Sequence, residues 1–132
     1  LPLLALLLLV ALAACREPAP PAPAAGVTGT VTYRERIALP PSAIVDIRLE
    51  DVSLQDAPSV VIGAQQIEGD GLQVPIPFEV GYDPAAIDPR HTYAVSARIM
   101  DGDRLLFIND TSYAVITQGN PVHVDILIKP AP

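Results

Sequence analysis

Cys15 is the single cysteine, so no internal disulfide can form. Tryptophan is absent and the aromatics are four Tyr and two Phe. That leaves little material for an aromatic platform that would hold a sugar ring. Only two histidines are present, His91 and His123. No Cys pair and no His-x-x-x-His spacing occurs, so no metal site is expected. Asp101-Gly102-Asp103 begins like a calcium loop, but the ligand series that must follow is missing. Glu68-Gly69-Asp70-Gly71 places two carboxylates where a phosphate loop would need open amides. No nucleophile elbow is present either. The chain therefore reads as a non-enzyme without a cofactor, with no catalytic residue to name. Basic residues are also scarce: 8 Lys and Arg against 15 Asp and Glu, for a formal net charge of -7. A domain of that sign, without a basic stripe, is a poor nucleic-acid binder.

What is present is organised around the one cysteine. Leu1 to Ala14 is an unbroken run without charge, ending in Leu12-Ala13-Ala14 directly before Cys15. Spanning a bilayer takes about 20 apolar residues, so the run is too short for a transmembrane helix. It looks like a bacterial lipoprotein signal with its lipobox, residues 1–14 being the signal peptide. It opens at Leu1 with neither Met nor a basic segment, so the start is expected to be truncated or misplaced. The likeness implies that the Cys15 thiol carries a diacylglycerol and that Cys15 is the first mature residue, anchored to a membrane. Arg16 follows it where inner-membrane lipoproteins of enteric bacteria carry Asp, which favours the outer membrane, facing the periplasm. Residues 15–26 hold Pro18, Pro20, Pro21 and Pro23 among alanines. This composition predicts an extended, semi-rigid linker.

A domain is expected over residues 27–130. From Val27 the period changes to two. Val27, Gly29, Val31 and Tyr33 alternate with threonines and Arg34. Val45, Ile47 and Leu49 then alternate with Asp46, Arg48 and Glu50, as in a sheet with one wet face. Val60 to Ala64 reads as a short strand buried on more than one face. Leu72 to Tyr82 reads as a strand with Val74, Ile76, Phe78 and Val80 on one side. Pro75 and Pro77 remove two donors from one edge of it, which predicts an edge strand protected from further pairing. Strand addition would then use another edge, at Val27 or Val122. Asp83-Pro84 opens one helical turn that Pro89 prevents from extending. His91 to Met100 is a strand, Asp101-Gly102 a hairpin turn, and Leu105 to Ile108 the return. Tyr113 to Ile116 and Val122 to Ile128 complete the set. Seven or eight strands with turn signals about ten residues apart predict an all-β, antiparallel β-sandwich. His91 opens a strand and His123 faces outward on another, so both read as ordinary surface residues.

The stretch from Val27 to Pro130 resembles the YbaY/YscW family of bacterial lipoproteins. The likeness is carried by Gly29-Thr30-Val31-Thr32-Tyr33, Ile37-Ala38-Leu39-Pro40 and Val45 to Val52. Pro75-Ile76-Pro77-Phe78, Tyr82-Asp83-Pro84, Tyr93 to Ile99 and Leu106 to Thr111 continue it. The resemblance implies an immunoglobulin-like or transthyretin-like sandwich on a lipid anchor. It also implies a link to pilot lipoproteins, which bind a secretin subunit and help deliver it to the outer membrane. The expected function is a non-enzymatic, pilot-like binding or chaperone module for an envelope or secretion-system protein. The alternative is a structural or envelope-maintenance lipoprotein that binds a glycan or no specific ligand.

Overall fold

The computed structural model describes residues 25–132, so the expected signal peptide, Cys15 and most of the linker lie outside the described residues. The strands are β1 (Ala25–Thr32), β2 (Ala43–Asp51), β3 (Val60–Glu68), β4 (Ile76–Tyr82), β5 (Tyr93–Asp101), β6 (Arg104–Ile108), β7 (Tyr113–Val115), β8 (His123–Leu127) and β9 (Lys129–Pro130). They form two sheets: β4-β1-β8, and β3-β2-β5-β6-β9 with β7 also on β5. The all-β two-sheet architecture is as expected.

The alternation of apolar and polar residues builds the core directly. Val27 and Val31 of β1 and Ile76, Phe78 and Val80 of β4 turn inward from the small sheet. Val45, Ile47 and Leu49 of β2 and Tyr93, Val95, Ala97 and Ile99 of β5 meet them from the large one. β2 carries the large sheet, pairing with β3 on one side and along its full length with β5 on the other. Asn109 fills the gap between β6 and β7. Its amide donates to Ala97 O (3.3 Å) and its Oδ1 accepts from Ala97 N–H (3.0 Å). At one corner the two sheets nearly touch, because Gly63 of β3 faces Gly81 of β4. A Cβ on Gly63 would stand 2.5 Å from the Gly81 carbonyl oxygen.

Several expectations are corrected. β1 is not an edge strand at Val27; it lies between β4 and β8. The sandwich is not wholly antiparallel, since β1 and β8 pair in parallel. Pairing in parallel needs a crossover, and here strands β2 to β7 separate the two, all but β4 of them in the large sheet. β3 is longer than expected, lies at the edge, and leaves Val60 and Val61 exposed. β4 begins only at Ile76, so Leu72 and Val74 belong to a loop. The hairpin turn consists of Gly102-Asp103, closed by Asp101 pairing with Arg104, and only Gly102 has positive φ. Asp46 sits on the outward side of β2 yet is only 6% exposed, because Arg48 and Arg98 both donate their Nε to its Oδ2 at 3.1 Å.

The expected helical turn is a 3₁₀ turn over Pro84–Ala86, with the Ala85 amide donating to Asp83 Oδ1 (2.9 Å). β4 is an edge strand, as its prolines predict. Pro77 has no N–H, and the Glu79 N–H that shares its side is taken by Gln65 Oε1 at 2.8 Å.

Candidate functional site

After Thr32 the chain leaves β1 and forms a loop that ends at the two prolines before β2. Tyr33 turns inward and stacks on Phe107, with ring centroids 4.7 Å apart. Its hydroxyl donates to Ile37 O (2.9 Å), which folds the loop back on itself. Leu39 is buried beneath, and the Ala43 amide closes onto Pro40 O (3.0 Å). The opposite wall is the β3–β4 connection. It turns at Gly71, where φ is +75°, after the Leu72 amide donates to Gly69 O (3.1 Å). Between the walls lies an open cleft of about 530 Å³.

Tyr33, Leu39, Leu72 and Val74 give the cleft its apolar lining, and Ile37 stands 54% exposed. Arg34 and Arg36 are exposed on the same loop. Glu35 also lines the cleft, and its Oε2 is buried with no hydrogen-bond partner. A buried acceptor without a donor costs free energy that a donor from outside would recover. The Tyr33 hydroxyl is pushed above its ordinary pKa, first by burial and then by the Glu35 charge. The cleft thus combines apolar side chains with Arg34, Arg36 and one carboxylate oxygen that lacks a donor. It suits a polypeptide segment that brings an apolar side chain and an N–H donor together.

The sequence-singled residues fall elsewhere. His91 Nδ1 lies 2.7 Å from Asp51 Oδ2, and Nε2 lies 3.6 Å from Asp88 Oδ2. Hydrogen bonding from Ser53, with a smaller effect of His91, holds Asp51 below its usual pKa. Arg90 holds Asp88 down at about 2. The His91 carbonyl accepts from Thr117 Oγ1 (2.6 Å). The nearby Ser53 hydroxyl accepts from the Thr92 amide (2.8 Å) and donates to Thr92 O. His91 therefore braces the strand ends where β2 stops and β5 begins. His123 Nδ1 and Thr28 Oγ1 are 3.0 Å apart on the exposed face of the small sheet. Asp101 accepts from the Ser42 hydroxyl at the hairpin. Among the described residues, no three His, Asp or Glu side chains converge as a metal site.

Glu35 is not singled out by sequence pattern, and Leu72 and Val74 read there as strand residues rather than as cleft lining. The one available signal is Glu35 between two arginines, beside an inward-facing Tyr33. Of the six aromatic side chains, Tyr33, Phe78, Tyr93 and Phe107 are buried and Tyr82 and Tyr113 half-buried.

The profile of the type III secretion system lipoprotein chaperone (YscW) family matches residues 22–128. The uncharacterized lipoprotein YbaY of Escherichia coli (strain K12) is 39% identical over 104 residues, covering 79% of this chain. The chain spans about half of that relative's length, 54%. Among solved structures, an alternative pilotin from the type II secretion system of Vibrio cholerae is 46% identical with a TM-score of 0.78. That match covers 82% of this chain and 97% of the pilotin.

Proposed function

Because the chain belongs to the type III secretion system lipoprotein chaperone (YscW) family, we propose that it is a lipid-anchored, non-enzymatic pilot-like module. In this reading residues 1–14 are removed, Cys15 carries the lipid, and residues 15–26 link it to the sandwich. The anchor sits in the outer membrane and the domain faces the periplasm. The client is a subunit of an envelope or secretion assembly, and its binding segment lies in the cleft between the 33–39 loop and the 71–74 loop. The observation that carries the reading is the buried, donorless Glu35 oxygen in a cleft of mixed apolar and charged lining, on a fold shared with a pilotin. Glycan binding has no comparable support, since none of the six aromatic side chains is fully exposed.

The test places a photocrosslinking residue at Ile37 or Gln73 in the native envelope. The expected product joins the chain to an outer-membrane secretion subunit. Leu72→Glu should abolish that product, and Glu35→Gln should reduce it while the variants remain folded by circular dichroism. Unchanged crosslinking in Leu72→Glu would sink the cleft as the client site. Normal outer-membrane delivery of the crosslinked subunit in a strain lacking the chain would sink the pilot role.

A further inference from the structure

Ala25 is where the chain enters the described fold, and it marks one end of the sandwich. It pairs with Tyr82, the last residue of β4. β3 passes β4 in the opposite direction, Gly63 lying against Gly81 and Gln65 against Glu79. The start of β3 is therefore at the same end. Asp51 lies there too, paired with Val60 on one side and Tyr93 on the other. The cleft described above lies at the opposite end, beyond the last residue of β1.

The Ala25 end carries an apolar tip. Val52, Leu54, Val60 and Val61 are four of the seven large hydrophobic residues that the described fold leaves exposed, and all lie within one hairpin. Leu54 is 69% and Val60 59% exposed. The register between β2 and β3 shifts beside Leu49 and Glu50. Val60 and Val61, opposite Asp51 and Glu50, stand on the edge strand with no further strand beside them. The 3₁₀ turn at the same end adds exposed Pro84, Ala85 and Ala86. The charged groups around the tip are Glu50, Asp51, Asp56, Asp83 and Asp88, with Arg90 and His91. That balance disfavours a strongly anionic surface and leaves apolar contact as the attraction.

We propose that this tip docks on the lipid bilayer, with Val52, Leu54, Val60 and Val61 entering the boundary between headgroups and acyl chains. The proposal rests on Cys15 being lipidated. Ten peptide steps separate Cys15 from Ala25, a reach of at most roughly 35 Å even when fully extended. A surface held that close to the membrane meets it at high effective concentration, so a small apolar contact suffices to orient the domain. Docking by this end turns the cleft away from the membrane.

The test uses the full lipidated chain in vesicles of zwitterionic phospholipid, with Leu54→Cys carrying a spin label. A second preparation carries the label at Gln73→Cys, at the cleft end. Flotation with the vesicles reports the anchor, and collision with oxygen against a water-soluble nickel complex reports depth. The Leu54 label is expected at a depth of about 5–10 Å, and the Gln73 label in water. Flotation with the Leu54 label in water overturns the docking alone. Failure to float overturns the anchor reading and the docking with it. Spectral broadening that grows with protein density at Leu54 would mean that a second copy covers the tip, and would also overturn the proposal. A Val60→Glu, Val61→Glu variant labelled at Leu54→Cys should float and remain folded, but its label should return to water.

Discussion

Gly29 offers the sharpest test of how the small sheet is held. It lies in the middle of β1, paired with Phe78 of β4 on one side and Val124 of β8 on the other. A Cβ there would stand 1.6 Å from the Val124 carbonyl oxygen and 2.7 Å from its carbon. The obstacle is backbone, so no rotamer change relieves it. β8 must retreat by roughly 1.5 Å or more to restore ordinary contact distance. That movement strains the parallel ladder, whose ends are set by Thr28 N–H to Val122 O (3.0 Å) and Thr32 O from Ile128 N–H (2.9 Å). Two weakened bonds cost about 1 kcal/mol each. Partly uncovering Ile126 and Ile128, each 1% exposed, costs about another 1–3 kcal/mol. Gly29→Ala should therefore lose about 3–5 kcal/mol, a large share of the ~5–15 kcal/mol that holds a typical domain. Gly81→Ala is the control in the same sheet, since its Cβ would meet nothing closer than the Ala25 carbonyl oxygen at 3.9 Å. It should stay within about 0.5 kcal/mol of the parent. Urea unfolding of the mature chain with Cys15→Ser, followed by circular dichroism, reads both. Gly29→Ala within about 1 kcal/mol of the parent would refute the tight β1–β8 contact.

Acid should destabilise the domain in a defined window. Asp51 and Asp88 both have depressed folded pKa values, Asp88 at about 2. Their stabilising contribution is present above the unfolded carboxylate value and lost as pH falls through the folded one, between about 4 and 2. Asp51→Asn should flatten the stability profile in that window, and an unchanged profile would count against the Ser53 and His91 contacts to Asp51. Tyr33 shifts the other way, so its contribution is present below about pH 10 and lost as pH rises through its raised value. Tyr33→Phe should flatten the alkaline limb. Tyr113→Phe removes the Oη that accepts the Leu127 amide at 3.0 Å, and should cost about 1 kcal/mol while raising amide exchange at Leu127.

Much of the sandwich is legible in the sequence because its strands have one wet face. The inward sets of β1, β2, β4 and β5 follow from period-two alternation alone. Pro77 announces the β4 edge because a missing donor has only one consequence. The errors share a cause: period-two alternation does not say where pairing stops. Leu72 and Val74 continue the β4 pattern yet line a cleft, and Val60 and Val61 look like core yet stand exposed on an edge strand. Likewise Val27 alternates as an edge strand would, but partners come from distant sequence, and β8 pairs with it only after β2 to β7 have intervened. The cleft was invisible because its walls come from two separate loops and its polar residues, Arg34 to Arg36 and Gln73, follow no repeat.

The place of β1 between two neighbours has a mechanical consequence. In the proposed reading, a tether ahead of Ala25 would pull along the strand axis, and a client held at the cleft would pull on the opposite end. The bonds of β1 to β4 over Ala25–Val31 and to β8 over Thr28–Thr32 lie across that axis. They are loaded in shear and must give way together, whereas an edge strand pulled sideways would peel one bond at a time. Resistance to force is set by the unfolding rate rather than by equilibrium stability. A cargo hauled against its anchor would thus be borne along the best-braced strand of the small sheet.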